Sequence, residues 1–114
     1  MLVQSGEKVH VIIRRRFETD LRRHLVGEIQ EVYATSARIT GYDFFLDTTK
    51  NQFIKKTVIR TTIIDLAESG YVVNILPDEV ELDNLKYVIN EQKRLVMTDN
   101  AGFVLDINEF GFNR

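Results

Sequence analysis

The densest chemistry in this chain lies in Arg14-Arg15-Arg16-Phe17 and Arg22-Arg23-His24, five arginines and a histidine within eleven residues. Guanidinium forks match phosphate oxygens bidentately, and an interspersed aromatic such as Phe17 can stack on a base. On paired strands, alternation puts Arg14 and Arg16 on one face and Arg15 on the other. The same residues could equally form a solvated, salt-bridged sheet face, with Glu18 and Asp20 as local counter-ions. Lys55-Lys56 enlarges a basic surface only if folding brings it near. Among the aromatics, Tyr42, Phe44, Phe45 and Phe53 read as core, while Tyr33 beside the Thr35-Ser36 loop is the better candidate for an exposed stacking ring.

Little else could do chemistry. Cysteine is absent, which excludes disulfides, thiolate metal sites and thiol nucleophiles. His10 and His24 have no carboxylate at ligand spacing, and Ser5, Ser36 and Ser69 lack the G-x-S-x-G context of a nucleophile elbow. Asp43 and Asp47 share a side of a strand but stand about 13 Å apart, too far to work as an acid/base pair. The six glycines are too scattered for a phosphate loop. The expectation is a protein that is not an enzyme and uses no cofactor or metal.

The chain has 114 residues, 44% apolar and 28% charged, enough to bury roughly two-thirds of its unfolded surface in one domain, 1–114. No apolar run is long enough to cross a bilayer as a helix, and the first residues lack the basic head and apolar stretch of a signal peptide, so the sequence predicts a cytoplasmic protein without a membrane partner. The net charge of −2 conceals an asymmetry: residues 1–60 carry 11 Lys/Arg against 7 Asp/Glu, and residues 61–114 carry 4 against 10. Such a split suits an anionic partner on one face, or a head-to-tail contact between copies.

The apolar period before Pro77 is two, not 3.6. Val9, Val11 and Ile13 alternate on a first strand that runs toward Phe17, and Glu18-Thr19-Asp20 turns the chain. Leu25, Gly27 and Ile29 share a face of the second strand, with Val32 out of phase, which predicts a bulge near Gln30-Glu31. A third strand covers 38–47 after a loop at 35–37. A fourth covers 53–65, rich in β-branched residues, and a fifth covers 71–76. Beyond Pro77, Asp78 reads as an N-cap with Leu82, Leu85 and Ile89 on a helical stripe. Short strands follow at 87–89, 94–98 and 103–107, with a hairpin turn at Asp99-Asn100-Ala101-Gly102. The fold class expected is all-β: a small, strongly bent five-stranded barrel over 8–77, with a C-terminal extension over 78–114 made of a short helix and a β-hairpin.

This order of strands, bends and loops resembles the Sm/LSm family of ring-forming RNA-binding barrels. Gly27-Glu28-Ile29 matches the family's Gly-x-hydrophobic in a bent strand, and Val72 and Ile75 have its V-x-x-I spacing. The likeness covers roughly residues 8–77 and is greatest to divergent Sm-like proteins of marine viruses and bacteria. The family's base-binding Asp and Asn fall near Tyr33 and Ala37, and its Arg-Gly falls on Glu68-Ser69.

The resemblance implies a non-catalytic, nucleic-acid-binding ring with a role in RNA or DNA processing or chaperoning. Its partners would be single-stranded nucleic acid, RNA before DNA, and copies of itself, about five to seven per ring. Arg14, Arg15, Arg16, Arg22 and Arg23 would hold phosphates, with Tyr33, Thr35, Ser36, Arg38, Ser69 and Gly70 as loop contacts. Rings of this family join the fourth strand of one subunit to the fifth of the next, here through Val58, Ile59, Thr61 and Ile63 against Tyr71, Val72, Val73 and Ile75. An oligomeric assembly module with no nucleic-acid role is the rival reading, favoured by the acidic second half.

Overall fold

The computed structural model describes residues 2–14, 17, 19, 22–50, 52–67 and 70–107. Two compact units divide the chain, Met1–Asp78 and Glu79–Arg114. Among the described residues no helix is long and apolar enough to cross a membrane.

The first unit is an antiparallel sheet of six strands: β1 Lys8–Ile13, β2 Arg23–Tyr33, β3 Ser36–Asp47, β4 Gln52–Lys55, β5 Arg60–Asp65 and β6 Tyr71–Leu76. Its order is β4-β3-β2-β1-β6, and β5 also pairs with β3, beyond β4 on the same edge. The alternation read from the sequence sets the inner face. Val9, Val11, Leu25, Ile29, Ala37, Ile39 and Ile64 are buried together, with Val3, Ile13, Val32, Leu66, Tyr71 and Val73 packed against them. The expected bulge is present, since the β2–β3 register shifts between Ile29 and Glu31. Of the predicted core aromatics, Tyr42 and Phe44 are buried, while Phe45 and Phe53 are half-buried.

Two expectations for this unit change. The single fourth strand is interrupted. Between the pairs Phe44↔Lys55 and Gly41↔Arg60, β3 supplies Tyr42 and Asp43 while the opposite chain supplies Lys56, Thr57, Val58 and Ile59. Two surplus residues cannot join the ladder, so the strand breaks into β4 and β5. The barrel is also not closed: among the described residues no ladder joins β6 to β4 or β5.

The second unit is a three-stranded antiparallel sheet of β7 Lys86–Ile89, β8 Leu95–Thr98 and β9 Val104–Asp106, in the order β7-β8-β9. Every residue of β8 is buried. The predicted helix is replaced by one 3-10 turn, Leu82–Asn84, with no side-chain cap. Asp83 and Asn84 are weak helix formers, and Leu85 is already extended and fully buried, so the chain enters β7 directly. The predicted hairpin turn is there: Asp99 Oδ1 accepts the amides of Ala101 at 2.8 Å and Phe103 at 3.3 Å, and Asn100 and Gly102 take positive φ.

Candidate nucleic-acid interface

Arg14 and Arg22 flank the arginine segment, where β1 ends and β2 begins. Arg14 follows β1 and is exposed; its amide donates to the Gly70 carbonyl at 3.1 Å. Gly70 has φ +97, and a Cβ there would lie 3.2 Å from the Cβ of Arg14, so the turn into β6 fits closely around that residue. Arg22 is half-buried and its carbonyl accepts the Leu46 amide at 3.0 Å, while Phe17 is exposed. Arg15, Arg16 and Ser69 lie outside the described residues.

Arg23 opens β2 opposite Phe45 of β3. Its guanidinium lies 5.5 Å from the centre of the Phe45 ring and meets Asp43 Oδ2 at 3.4 Å. Asp43 is fully buried, and the same oxygen accepts from Arg60 Nη1 at 3.0 Å. The other oxygen, Oδ1, and Arg23 Nε are buried without a partner. The Lys56 amide bonds the Asp43 carbonyl at 2.8 Å, and its ammonium stands 5.9 Å from the Phe45 ring. Lys55, next along the chain, lies 4.5 Å from the Tyr42 ring. Strand pairing thus brings Lys56 to the face of Arg23, and Lys55 to the opposite face with Arg22, two strands away across a spacing of about 4.8 Å each.

The balance of charge follows. Arg23 and Arg60 share the single carboxylate of Asp43, and the Lys56 ammonium stands by the neighbouring Phe45 ring, which leaves excess positive charge. Each guanidinium has five N–H donors and gives Asp43 only one, so both can still bind an anion. Arg60 and Asp43 had no sequence signal as site members, because their meeting depends on the β3–β5 register.

The loop candidates form a second group at the β2–β3 turn. Tyr33 is 82% exposed, and with Glu31, Ser36, Ala37, Arg38 and Ile63 it lines a shallow hollow. Thr35 Oγ1 donates to Asp65 at 2.8 Å, its carbonyl accepts the Leu66 amide at 2.9 Å, and Arg38 pairs with Glu31. Leu66, bonded to Thr35, and Gly70, bonded to Arg14, are four residues apart in the chain and so at most about 14 Å apart. The candidates are therefore two clusters a short distance apart.

The residues expected at subunit contacts also divide. Val58, Ile59, Ile63 and Ile75 are exposed, as is Thr61, whose hydroxyl lies 2.9 Å from that of Thr40. Tyr71 and Val73 pack against the core, and Val72 is half-buried on the opposite face.

His10 and His24 meet on the other face of the sheet, both buried, with ring centres 5.4 Å apart and edge to face. Asn74 Nδ2 donates to His10 Nδ1 at 3.3 Å, and His24 lies 4.7 Å from Phe53. Burial pushes His10 down to about 4 and His24 to about 3, so both are neutral at physiological pH. No group of three or more His, Cys, Asp or Glu among the described residues could hold a metal ion. Set against protein-family models, curated proteins and solved structures, the chain matches none.

Proposed function

We propose that this protein binds single-stranded nucleic acid, RNA in preference to DNA, without catalysis, as an Sm-like ring of identical subunits. The observation that carries the reading is the convergence of Arg23, Lys56 and Arg60 around the buried Asp43 and the half-buried Phe45 at one end of the sheet, with Lys55 and Arg22 on the opposite face. Arginine and lysine there would hold phosphates, and the ring offers a platform to a base. Ring formation is supported by two edges unpaired among the described residues: β5, which takes in Thr61 and Ile63 of the first joining segment but not Val58 and Ile59, and β6, which takes in Tyr71, Val72, Val73 and Ile75 of the second. An open edge with exposed β-branched residues is a pairing hazard unless it is used.

Fluorescence anisotropy with short single-stranded RNA and DNA, across salt, tests the reading on protein whose mass is known from light scattering. Five neutralised phosphates give a slope of log K against log salt near −3.5. Arg14→Ser, Arg22→Ser and Lys56→Ser together leave both partners of Asp43 in place. That variant should lose most affinity, with the slope shallower by about 2. Unchanged affinity in a folded triple variant refutes the phosphate role.

The assembly module is the second reading. It is favoured by the exposed Val58, Ile59, Ile63 and Ile75, which need a partner surface whether or not nucleic acid is bound. An oligomer that binds no oligonucleotide at low salt establishes it.

A further inference from the structure

Asp43, Phe45 and Asp47 follow one another along a single face of β3. The three positions differ in chemistry. At Asp43 the carboxylate is buried and overbalanced by Arg23 and Arg60, so that end attracts anions. At Phe45 there is a half-buried ring with a cation on either neighbouring chain, Arg23 and Lys56. At Asp47 the carboxylate is solvated. Its Oδ1 accepts the amide of Thr49 at 3.0 Å and the hydroxyl of Thr49 at 2.7 Å, which leaves Oδ2 with no protein donor among the described residues. Those same bonds hold the carboxyl below the usual aspartate range, so it is ionised at neutral pH.

Phe45, Leu46, Asp47, Ile54 and Lys56 line one open hollow of about 360 Å³. Its apolar walls are unusual beside so many cations, and phosphate binding alone has no use for them. We propose that this hollow is a base subsite of the nucleic-acid interface: an unpaired guanine stacks on Phe45, donates N1–H and N2–H to Asp47, and leaves its phosphate to Arg60 and Lys56. The inference rests on the nucleic-acid reading above and adds a preferred base to it.

Charge and donor pattern select the occupant. A lone carboxylate accepts hydrogen bonds and offers none. Guanine presents two adjacent N–H donors on its Watson–Crick edge. Cytosine and adenine present one amino group beside a bare acceptor nitrogen, and the single N–H of uracil is flanked by two carbonyls that a carboxylate repels. These edges are engaged in a duplex, so the base must come from a single strand. The Lys56 ammonium must leave the ring to admit the base. A base stack outweighs the contact of one exposed lysine, and the displaced ammonium can turn to the phosphate.

The test uses the full chain and dye-labelled RNA heptamers of uridine with guanosine, inosine, adenosine, cytidine, uridine or an abasic unit at the centre. The guanosine probe should bind about tenfold tighter than all-uridine, with inosine, which lacks the N2 amino group, between them. Asp47→Asn should reduce the guanosine-to-uridine ratio to within about twofold, whatever the loss of charge does to every probe in common. Phe45→Leu keeps apolar volume and should erase the advantage of guanosine over the abasic probe. A ratio unchanged in Asp47→Asn overturns the subsite. Equal, salt-sensitive affinity for all six probes overturns the subsite alone, whereas no binding at low salt overturns the nucleic-acid reading with it.

Discussion

Asp43 and Arg60 stand 17 residues apart in the chain and 3.0 Å apart in the fold. The carboxylate has no solvent exposure, while the arginine side chain keeps 57% of its own. Arg23 shares the same carboxylate oxygen at 3.4 Å, so one buried anion anchors two cations that reach the surface. Either arginine alone still compensates the charge; removing both strands it. Arg23→Met with Arg60→Met should therefore cost about 3 kcal/mol, the low end for a stranded buried charge because water can approach from the arginine side. Adding Asp43→Leu should recover much of the loss. Urea midpoints of the three proteins decide it, and a triple variant no more stable than the double one counts against a buried charge as the cause.

Acid should unfold the protein through its histidines. His10 and His24 titrate near 6.5 when unfolded, but burial lowers them to about 4 and about 3 in the fold. Between these limits the unfolded chain binds more protons, so stability is complete above about pH 6.5 and falls as the pH drops toward 4. Each histidine removes up to about 1.4 kcal/mol per pH unit in that window. Asp47 and Asp65 are lowered by hydrogen bonds and add to the loss only in stronger acid. Urea unfolding at pH 7.5 and pH 5 should show the fall, and His24→Gln should roughly halve it. A stability flat from pH 7.5 to 5 would show that the imidazoles are not held neutral by burial.

The strands were legible because one face is buried and the apolar period shows it. Val9, Val11 and Ile13 alternate into the core as read, and the phase slip from Ile29 to Val32 marks the bulge. The turn at Asp99 was legible from its side-chain chemistry alone. What stayed hidden depends on register. Thr57, Val58 and Ile59 have strand propensity, yet β3 offers only Tyr42 and Asp43 opposite the four residues 56–59. The stripe of Leu82, Leu85 and Ile89 fits a helix by spacing, but pairing of 86–89 with β8 takes Ile89 into a sheet and leaves Leu82 in a single 3-10 turn. In the candidate interface the arginines were visible as a run, whereas Asp43 and Arg60 belong to it only through a three-strand register.

Gly41 is a position where the bent sheet tolerates no side chain. It pairs with Gly27 across β2 and β3, and a Cβ on it would lie 1.9 Å from the Val26 carbonyl oxygen and 2.5 Å from the Gly27 Cα. Those neighbours are backbone and cannot rotate away. Gly41→Ala should cost at least about 3 kcal/mol, beyond the usual penalty for overpacking. Gly102 has φ +108 with nothing within 4 Å of a Cβ, so Gly102→Ala should cost only about 1–2 kcal/mol of backbone strain. Thermal unfolding of the two variants should rank them in that order, and equal losses would mean that β2 and β3 can separate locally.

The free edges make the last prediction. β5 pairs with β3 on one side only, and β6 pairs with β1 on one side only, among the described residues. Ile63 on β5 is 62% exposed and Ile75 on β6 is 52% exposed, so each edge presents apolar surface beside unpaired backbone groups. Edge lysines oppose strand addition because the ammonium must be desolvated or crowded against its neighbour. Neither isoleucine belongs to the buried core, so Ile63→Lys and Ile75→Lys should leave the circular dichroism spectrum unchanged. Light scattering should show the wild-type chain as an oligomer and the double variant near the 13.3 kDa of one chain. In the proposed ring every interface uses one β5 edge and one β6 edge, so either substitution alone should also break it. An oligomer of unchanged mass in both single variants would place the subunit contact elsewhere.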